Sequence, residues 1–204
     1  MIYLDHAATT PVPKAVADAM YTVLTEQYAN PNAQYPFGQE MRRSVEDWRA
    51  VIAKAVDCEA NQLFFTSCGT EGDNWAIRAA CWQNRHVGRH IVTTAVEHHA
   101  VLHPMQKLEA KGFEVTYLQP DREGNITVDA LKKALRPDTI LVSVMMVNNE
   151  TGAVMPIADM VKATRRLSPL ALFHTDAVQG FLKVPFRART LGADMISVSA
   201  HKIH

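Results

Sequence analysis

Six short runs rich in apolar and β-branched residues recur along the chain, and segments of helical pattern precede and separate them. This alternation restricts the fold more than any other feature. The runs are Leu63–Ser67, His90–Thr94, Glu114–Leu118, Ile140–Met146, Ala171–Thr175 and Asp194–Ser199. Several are apolar at consecutive positions, as expected of strands that helices cover on both faces. Helical patterns fall at Lys14–Glu26, Gln39–Ala55, Glu71–Arg85, Ala100–Lys111, Val128–Ala134 and Ile157–Leu167. Turn chemistry such as Pro120-Asp121-Arg122-Glu123-Gly124-Asn125 separates elements. The pattern predicts an α/β fold with a mostly parallel sheet. No repeat or linker divides it, so one domain is expected, preceded by an N-terminal arm.

In such sheets ligands collect beyond the carboxyl ends of the strands. Reactive residues should therefore follow the strand candidates, and they do. Thr70 follows the first, Glu97 and His98 the second, Asn148 and Asn149 the fourth, Asp176 the fifth, and His201 and Lys202 the sixth. The pattern predicts a single pocket.

Composition narrows the chemistry. Lys plus Arg and Asp plus Glu each total 21, so there is no basic footprint for nucleic acid. No apolar run approaches the roughly 20 residues that span a bilayer, and Met1-Ile2-Tyr3-Leu4-Asp5-His6 lacks a charged segment leading into an apolar one. No membrane partner and a cytoplasmic location are expected. The three cysteines, Cys58, Cys68 and Cys81, form no disulfide framework or metal-ligand spacing. His98-His99 lacks the further ligands of a zinc motif, so no metal is expected.

Each candidate residue has a plain structural role beside a chemical one. Lys202 could be a solvated charge, or an amine that forms a Schiff base if burial or nearby cations keep it partly neutral. Ser199 and His201 beside it offer donors to a phosphate. In Thr66-Ser67-Cys68-Gly69-Thr70-Glu71 a strand breaks and a helix begins; free N–H groups there suit either a helix cap or a phosphate. Cys68 in that loop is expected to be a small buried thiol. Asp176 could cap a helix or pair with a protonated ring nitrogen, with Gln179 three residues on within reach of the same pocket. His98 could cap the next helix, or stack on a flat ligand and move protons. Asn148-Asn149-Glu150-Thr151-Gly152 could be a turn, or supply an amide to a substrate.

Together these segments resemble the cysteine desulfurases, in the class V aminotransferase group of fold-type I pyridoxal-phosphate enzymes. The resemblance covers essentially the whole chain. It runs through Tyr3-Leu4-Asp5-His6-Ala7-Ala8-Thr9-Thr10-Pro11, Asn30-Pro31, Thr66 to Glu71, Glu97-His98, Asn148 to Gly152, His174-Thr175-Asp176-Ala177-Val178-Gln179 and Ser199-Ala200-His201-Lys202. It implies a three-layer α/β/α large domain that binds pyridoxal phosphate. Residues 1–12 would form the arm and 13–204 an incomplete large domain, cut after the cofactor lysine. Lys202 would hold the cofactor and move protons, and His98 would stack on the ring. Asp176 would bind the pyridine nitrogen, Gln179 the phenolic oxygen, and Asn149 that oxygen and the substrate. Gly69, Thr70, Ser199 and His201 would hold the phosphate. Gly72, Ala200 and Tyr35 stand where the family often has Ser, Gly and His.

The implied reaction converts L-cysteine to L-alanine and an enzyme-bound persulfide, for iron–sulfur cluster assembly or another sulfur-transfer pathway. The implied partners are a sulfur-acceptor or scaffold protein and a second copy in a homodimer. The family's persulfide cysteine and substrate-gripping arginine lie well beyond the lysine, and none of Cys58, Cys68 and Cys81 matches that cysteine. The chain is thus expected to be an N-terminal fragment, inactive alone. Two alternatives remain open: another class V activity, such as selenocysteine lyase or an aminotransferase, and a non-catalytic cofactor-binding or dimerising module.

Overall fold

The computed structural model describes residues 2–203. Five strands, β1 (His90–Thr94), β2 (Glu114–Leu118), β3 (Thr139–Ser143), β4 (Leu172–Asp176) and β5 (Met195–Ser197), form one sheet in the order β2-β1-β3-β4-β5. Every pairing is parallel. Successive side chains point to opposite faces of each strand, which splits the core in two. Ile91 and Leu141 pack under α3 (Gly69–Gln83) and α4 (His99–Glu109) with Ile77, Cys81, Val101 and Met105. Val92, Val142 and Phe173 pack on the other face under α5 (Val128–Ala134) and α6 (Ile157–Leu167) with Leu131, Ile157 and Met160. The expected three-layer α/β/α architecture is therefore present. The chain runs from β1 out to β2 and returns to β3 on the other side of β1. That reversal opens a crevice between the ends of β1 and β3.

The candidate strand at Leu63–Ser67 is not a strand. Leu63 is extended, but no strand lies beside it among the described residues, so it joins no ladder. Its carbonyl instead accepts from Arg49 Nη1 at 2.5 Å, and the Arg49 guanidinium lies 4.7 Å above the Phe65 ring. Between this segment and β5, the last strand of the sheet, runs a groove of about 880 Å³ lined by Leu63, Phe64, Thr66, Trp75, Ile196 and Val198. The strand expected over Ile140–Met146 stops at Ser143, although Val144 and Met146 still donate to the His174 and Asp176 carbonyls at 3.1 and 2.8 Å. The strand expected over Asp194–Ser199 shortens to Met195–Ser197.

Helices α1 (Lys14–Glu26), α5 and α6 keep their expected bounds; α2 (Pro36–Val56) starts earlier, on a proline at its first turn. A one-turn α7 (Ala188–Leu191) was not expected from the sequence. Helix α4 contains Pro104, which has no N–H for the Ala100 carbonyl one turn back. Asn74 Nδ2 of α3 fills that place at 3.1 Å, tying α3 to α4 beside the crevice. No helix among the described residues is long and apolar enough to cross a membrane.

Candidate active site

A cavity of about 540 Å³ lies at the carboxyl ends of the strands. Gly69, Thr70, His98, Asn149, Asp176, Gln179, Ser199, His201 and Lys202 all line it. The single pocket expected from the sequence thus gathers these nine candidates, whereas Glu97 and Asn148, expected there from their places after strands, are buried and do not line it. They come from the start of α3 and from the segments after β1, β3, β4 and β5.

Asp176 ends β4, is 6% exposed, and accepts from the Val178 N–H through Oδ1 at 2.9 Å. Burial and then Asp73 push its pKa up to about 6, against the Val178 N–H, His174 and Lys202, which oppose the shift. His174, on the same face two residues back, is fully buried between Ser143 Oγ at 2.9 Å and Ser197 Oγ at 3.0 Å. Its Nε2 lies 3.5 Å from Asp73 Oδ1, close enough for an ion pair but without a hydrogen bond. Glu97 is also buried, and burial lifts its pKa to about 8.

The opposite end is open. Lys202 closes a short 3₁₀ turn, Ala200–Lys202, and its Nζ donates to the carbonyls of Ala7 and Ala8, the latter at 2.7 Å. Gln179 Nε2 donates to the same Ala7 carbonyl at 2.8 Å. Thr10 fixes the arm by donating from both N and Oγ1 to the His201 carbonyl, at 3.1 and 2.9 Å. His201, though exposed, sits below the ordinary histidine pKa because of partial desolvation and the neighbouring Lys202 charge.

His98 fills the capping role and stands where the other would need it. It caps α4, its Nδ1 accepting from the Ala100 N–H at 3.1 Å, and its ring borders the cavity. With Nδ1 an acceptor, the neutral ring carries its proton on Nε2. The two asparagines separate. Asn148 is buried and spends its amide on the turn, donating to Val96 O at 2.9 Å and accepting from the N–H groups of Glu150 and Thr151. Asn149 reaches the cavity.

Cys68 departs from expectation. It is exposed on the cavity wall, and N–H groups at the start of α3, led by that of Glu71, together with the Ser67 hydroxyl hold its thiol below the ordinary range. Burial pushes the Cys81 thiol up to about 12. Sequence reasoning passed over Asp73 and the carbonyls of Ala7 and Ala8. Asp73 had a readable signal: it falls one turn before Ile77 on the buried stripe of α3, where an acid is out of place.

The donor set suits a flat, phosphorylated heteroaromatic aldehyde such as pyridoxal phosphate. The amide end of α3 with Thr70, Ser199 and His201 offers donors to a phosphate, Asp176 a carboxylate to a ring N–H, and Lys202 an amine to an aldehyde. A Cβ added at Gly69 would meet Val178 Cγ2 at 3.3 Å and Ser199 Cβ at 3.5 Å, so the backbone is tightly held where the phosphate would rest.

A family model described as aminotransferase class-V matches residues 2–204. The chain is 47% identical over its full length to the cysteine desulfurase IscS of Dictyoglomus turgidum, of which it covers 51%. Among solved structures it superposes on a NifS-like protein with a TM-score of 0.96 and 38% identity, covering 100% of this chain and 56% of that one. It superposes on SspA in complex with cysteine with a TM-score of 0.94 and 34% identity, covering 99% of this chain and 58% of that one. The chain spans about half the length of the curated relatives it matches.

Proposed function

The chain belongs to the class V aminotransferase family, and on that premise we propose that it forms the pyridoxal-phosphate-binding part of a cysteine desulfurase. The observation that carries this reading is the convergence of nine residues, from five segments of the fold, on one cavity at the strand ends. The names of its relatives, all cysteine desulfurases among the most similar, support the choice of L-cysteine as substrate, as does the bound cysteine of SspA.

When bound, pyridoxal phosphate supplies an electron sink for charge that develops at the substrate Cα. The chain's own residues do the rest. Ionised Asp176 holds the proton on the ring nitrogen, at the dry end of the cavity where that charge pairing is strongest. Lys202 Nζ holds the cofactor and takes and returns the proton at the substrate Cα. The His98 ring covers one face of the site and offers a second proton-transfer group. The Gln179 and Asn149 amides orient the phenolic oxygen, and Asn149 also faces the substrate. Gly69 N–H, Thr70, Ser199 and His201 fix the phosphate end.

L-alanine and a persulfide are the products in this reading, with a sulfur-acceptor or scaffold protein as onward partner, in a cytoplasmic homodimer. The test is spectroscopic. The chain should acquire the visible absorbance of lysine-bound pyridoxal phosphate, L-cysteine should perturb it, and Lys202→Ala should abolish it. Unchanged absorbance in Lys202→Ala would refute the assignment of the lysine. A loaded form extended to the relatives' length, whose spectrum ignores L-cysteine, would refute the substrate.

A further inference from the structure

Glu97 lies beneath the cavity, and none of the roles assigned above uses it. Its Oε1 accepts from Thr94 Oγ1, on the last residue of β1, and from the Met145 N–H just beyond β3, both at 2.8 Å. Its Oε2 has no partner, and the residue is 5% exposed. Asn148 adds a second tie between the same two segments through the Val96 carbonyl. These segments carry His98 and Asn149 and flank the crevice where the strand order reverses.

We propose that Glu97 is a positioning residue of this cavity, a neutral carboxylic acid that ties the end of β1 to the end of β3 without adding a charge beside Asp176. The inference rests on the cofactor reading above for its consequence, though not for its geometry.

The tie needs an acceptor at Oε1 and nothing more. Ionised, the group would leave an anionic oxygen in the core without a donor, which is costly. The charges that act on it are also both acidic: Asp176 from β4 and Asp73 from α3. The groups that could carry positive charge here, His174 and Lys202, act on Asp176 instead, and His98 follows Glu97 in its own loop. Burial, opposed only by the Met145 N–H and Thr94 hydroxyl, keeps the proton on Glu97 until about pH 8. A third negative charge is thereby kept away from Asp176, whose own charge is the one the ring nitrogen needs.

Linkage gives a signature independent of cofactor. A glutamate in the unfolded chain has lost its proton well before pH 6.5, whereas the folded chain keeps it to about pH 8. The folded state then binds more protons, so stability falls as pH rises through that window. Asp176, which titrates near 6, has largely finished before it begins. Three forms of the 204-residue chain are compared: wild type, Glu97→Gln and Glu97→Leu. Thermal unfolding without cofactor is followed from pH 6.5 to 8.5, and pyridoxal phosphate is then titrated by visible absorbance at pH 7.

Wild type should lose about 4 °C or more across the window, and Glu97→Gln should not. Glu97→Leu, which has no acceptor, should bind the cofactor about 10–100-fold more weakly, the range seen when groups that orient a metal's ligands are removed. Glu97→Gln should recover most of that loss, which a merely space-filling role would not give. Parallel pH curves for wild type and Glu97→Gln would overturn the neutral acid. Equal weakening by Gln and Leu would overturn the tie. If the pH curves diverge as expected and no form takes up pyridoxal phosphate, the cofactor reading fails while the state of Glu97 stands.

Discussion

The two ends of the cavity are held by different means. At the strand end, Asp73, Glu97, His174 and Asp176 are all buried; the Thr94 hydroxyl holds Glu97, the Ser143 and Ser197 hydroxyls hold His174, and the Val178 N–H holds Asp176. At the opposite end, His201 is exposed, Ser199 and Lys202 are half-buried, and the backbone of the N-terminal arm fastens them from outside. The dry end amplifies charge, because a carboxylate there is screened by little water. The wet end can exchange partners, because its hydrogen bonds compete with solvent and each is worth only about 1 kcal/mol. A site that pins a ring nitrogen at one end and admits a phosphate and a substrate at the other needs that asymmetry.

Substitutions can break the contrast. The largest effect after loss of Lys202 is expected at the dry end. Asp176→Asn keeps the shape but removes the charge, and should weaken pyridoxal-phosphate binding by about 10–100-fold, the equivalent of roughly 1.5–3 kcal/mol for a charged hydrogen bond, read by absorbance titration. An effect under about threefold would mean that the carboxylate serves only to cap the Val178 N–H.

A pH titration sharpens the same point. Burial and Asp73 keep a proton on Asp176 until about pH 6 in the free site. Lowering the pH through 6 therefore neutralises the group that must be ionised to hold a ring N–H. Between pH 7 and pH 5 wild type should lose up to about tenfold more affinity than Asp176→Asn does, since each unit below the pKa is worth about tenfold. The variant serves as the control for the phosphate and for His201.

The smallest effect is expected at the wet end. Thr10→Val removes the hydroxyl donor to the His201 carbonyl and keeps the backbone one, so it should cost about 1 kcal/mol or less in thermal unfolding and about fivefold or less in cofactor affinity. A loss as large as that of Asp176→Asn would show that the arm, and not the sheet, carries the site.

How much of this was legible in the sequence follows from where the determinants lie. The bounds of β1, β2, α1, α5 and α6 could be read because apolar periodicity sets them locally. His98, Asn149, Asp176, His201 and Lys202 were legible because a parallel sheet places every strand's carboxyl end on one edge, whereas Gly69, Gln179 and Ser199 came from motifs, and Glu97 and Asn148, also at strand ends, turn inward beside the cavity. Leu63–Ser67 looked like a strand and is not one, because pairing depends on a neighbour elsewhere in the chain that no local pattern reports. Asn148 and Asn149 could not be told apart, since adjacent residues differ in role only once the turn fixes which one faces inward. The arm's contacts come from the carbonyls of Ala7 and Ala8, groups every residue has, and leave no side-chain signal. The exposure of Cys68 was likewise hidden, because it depends on what packs over the start of α3.

The central claim is that Lys202 anchors pyridoxal phosphate in a cavity whose far end is closed by Asp176. The most direct measurement is to load the chain with pyridoxal phosphate, reduce the adduct with borohydride and locate the modified residue by peptide mass spectrometry. A single adduct on Lys202, absent from Lys202→Ala, is the expected result. Adducts spread over the surface lysines, or one on another residue such as Lys183 with Lys202 unmodified, would contradict it.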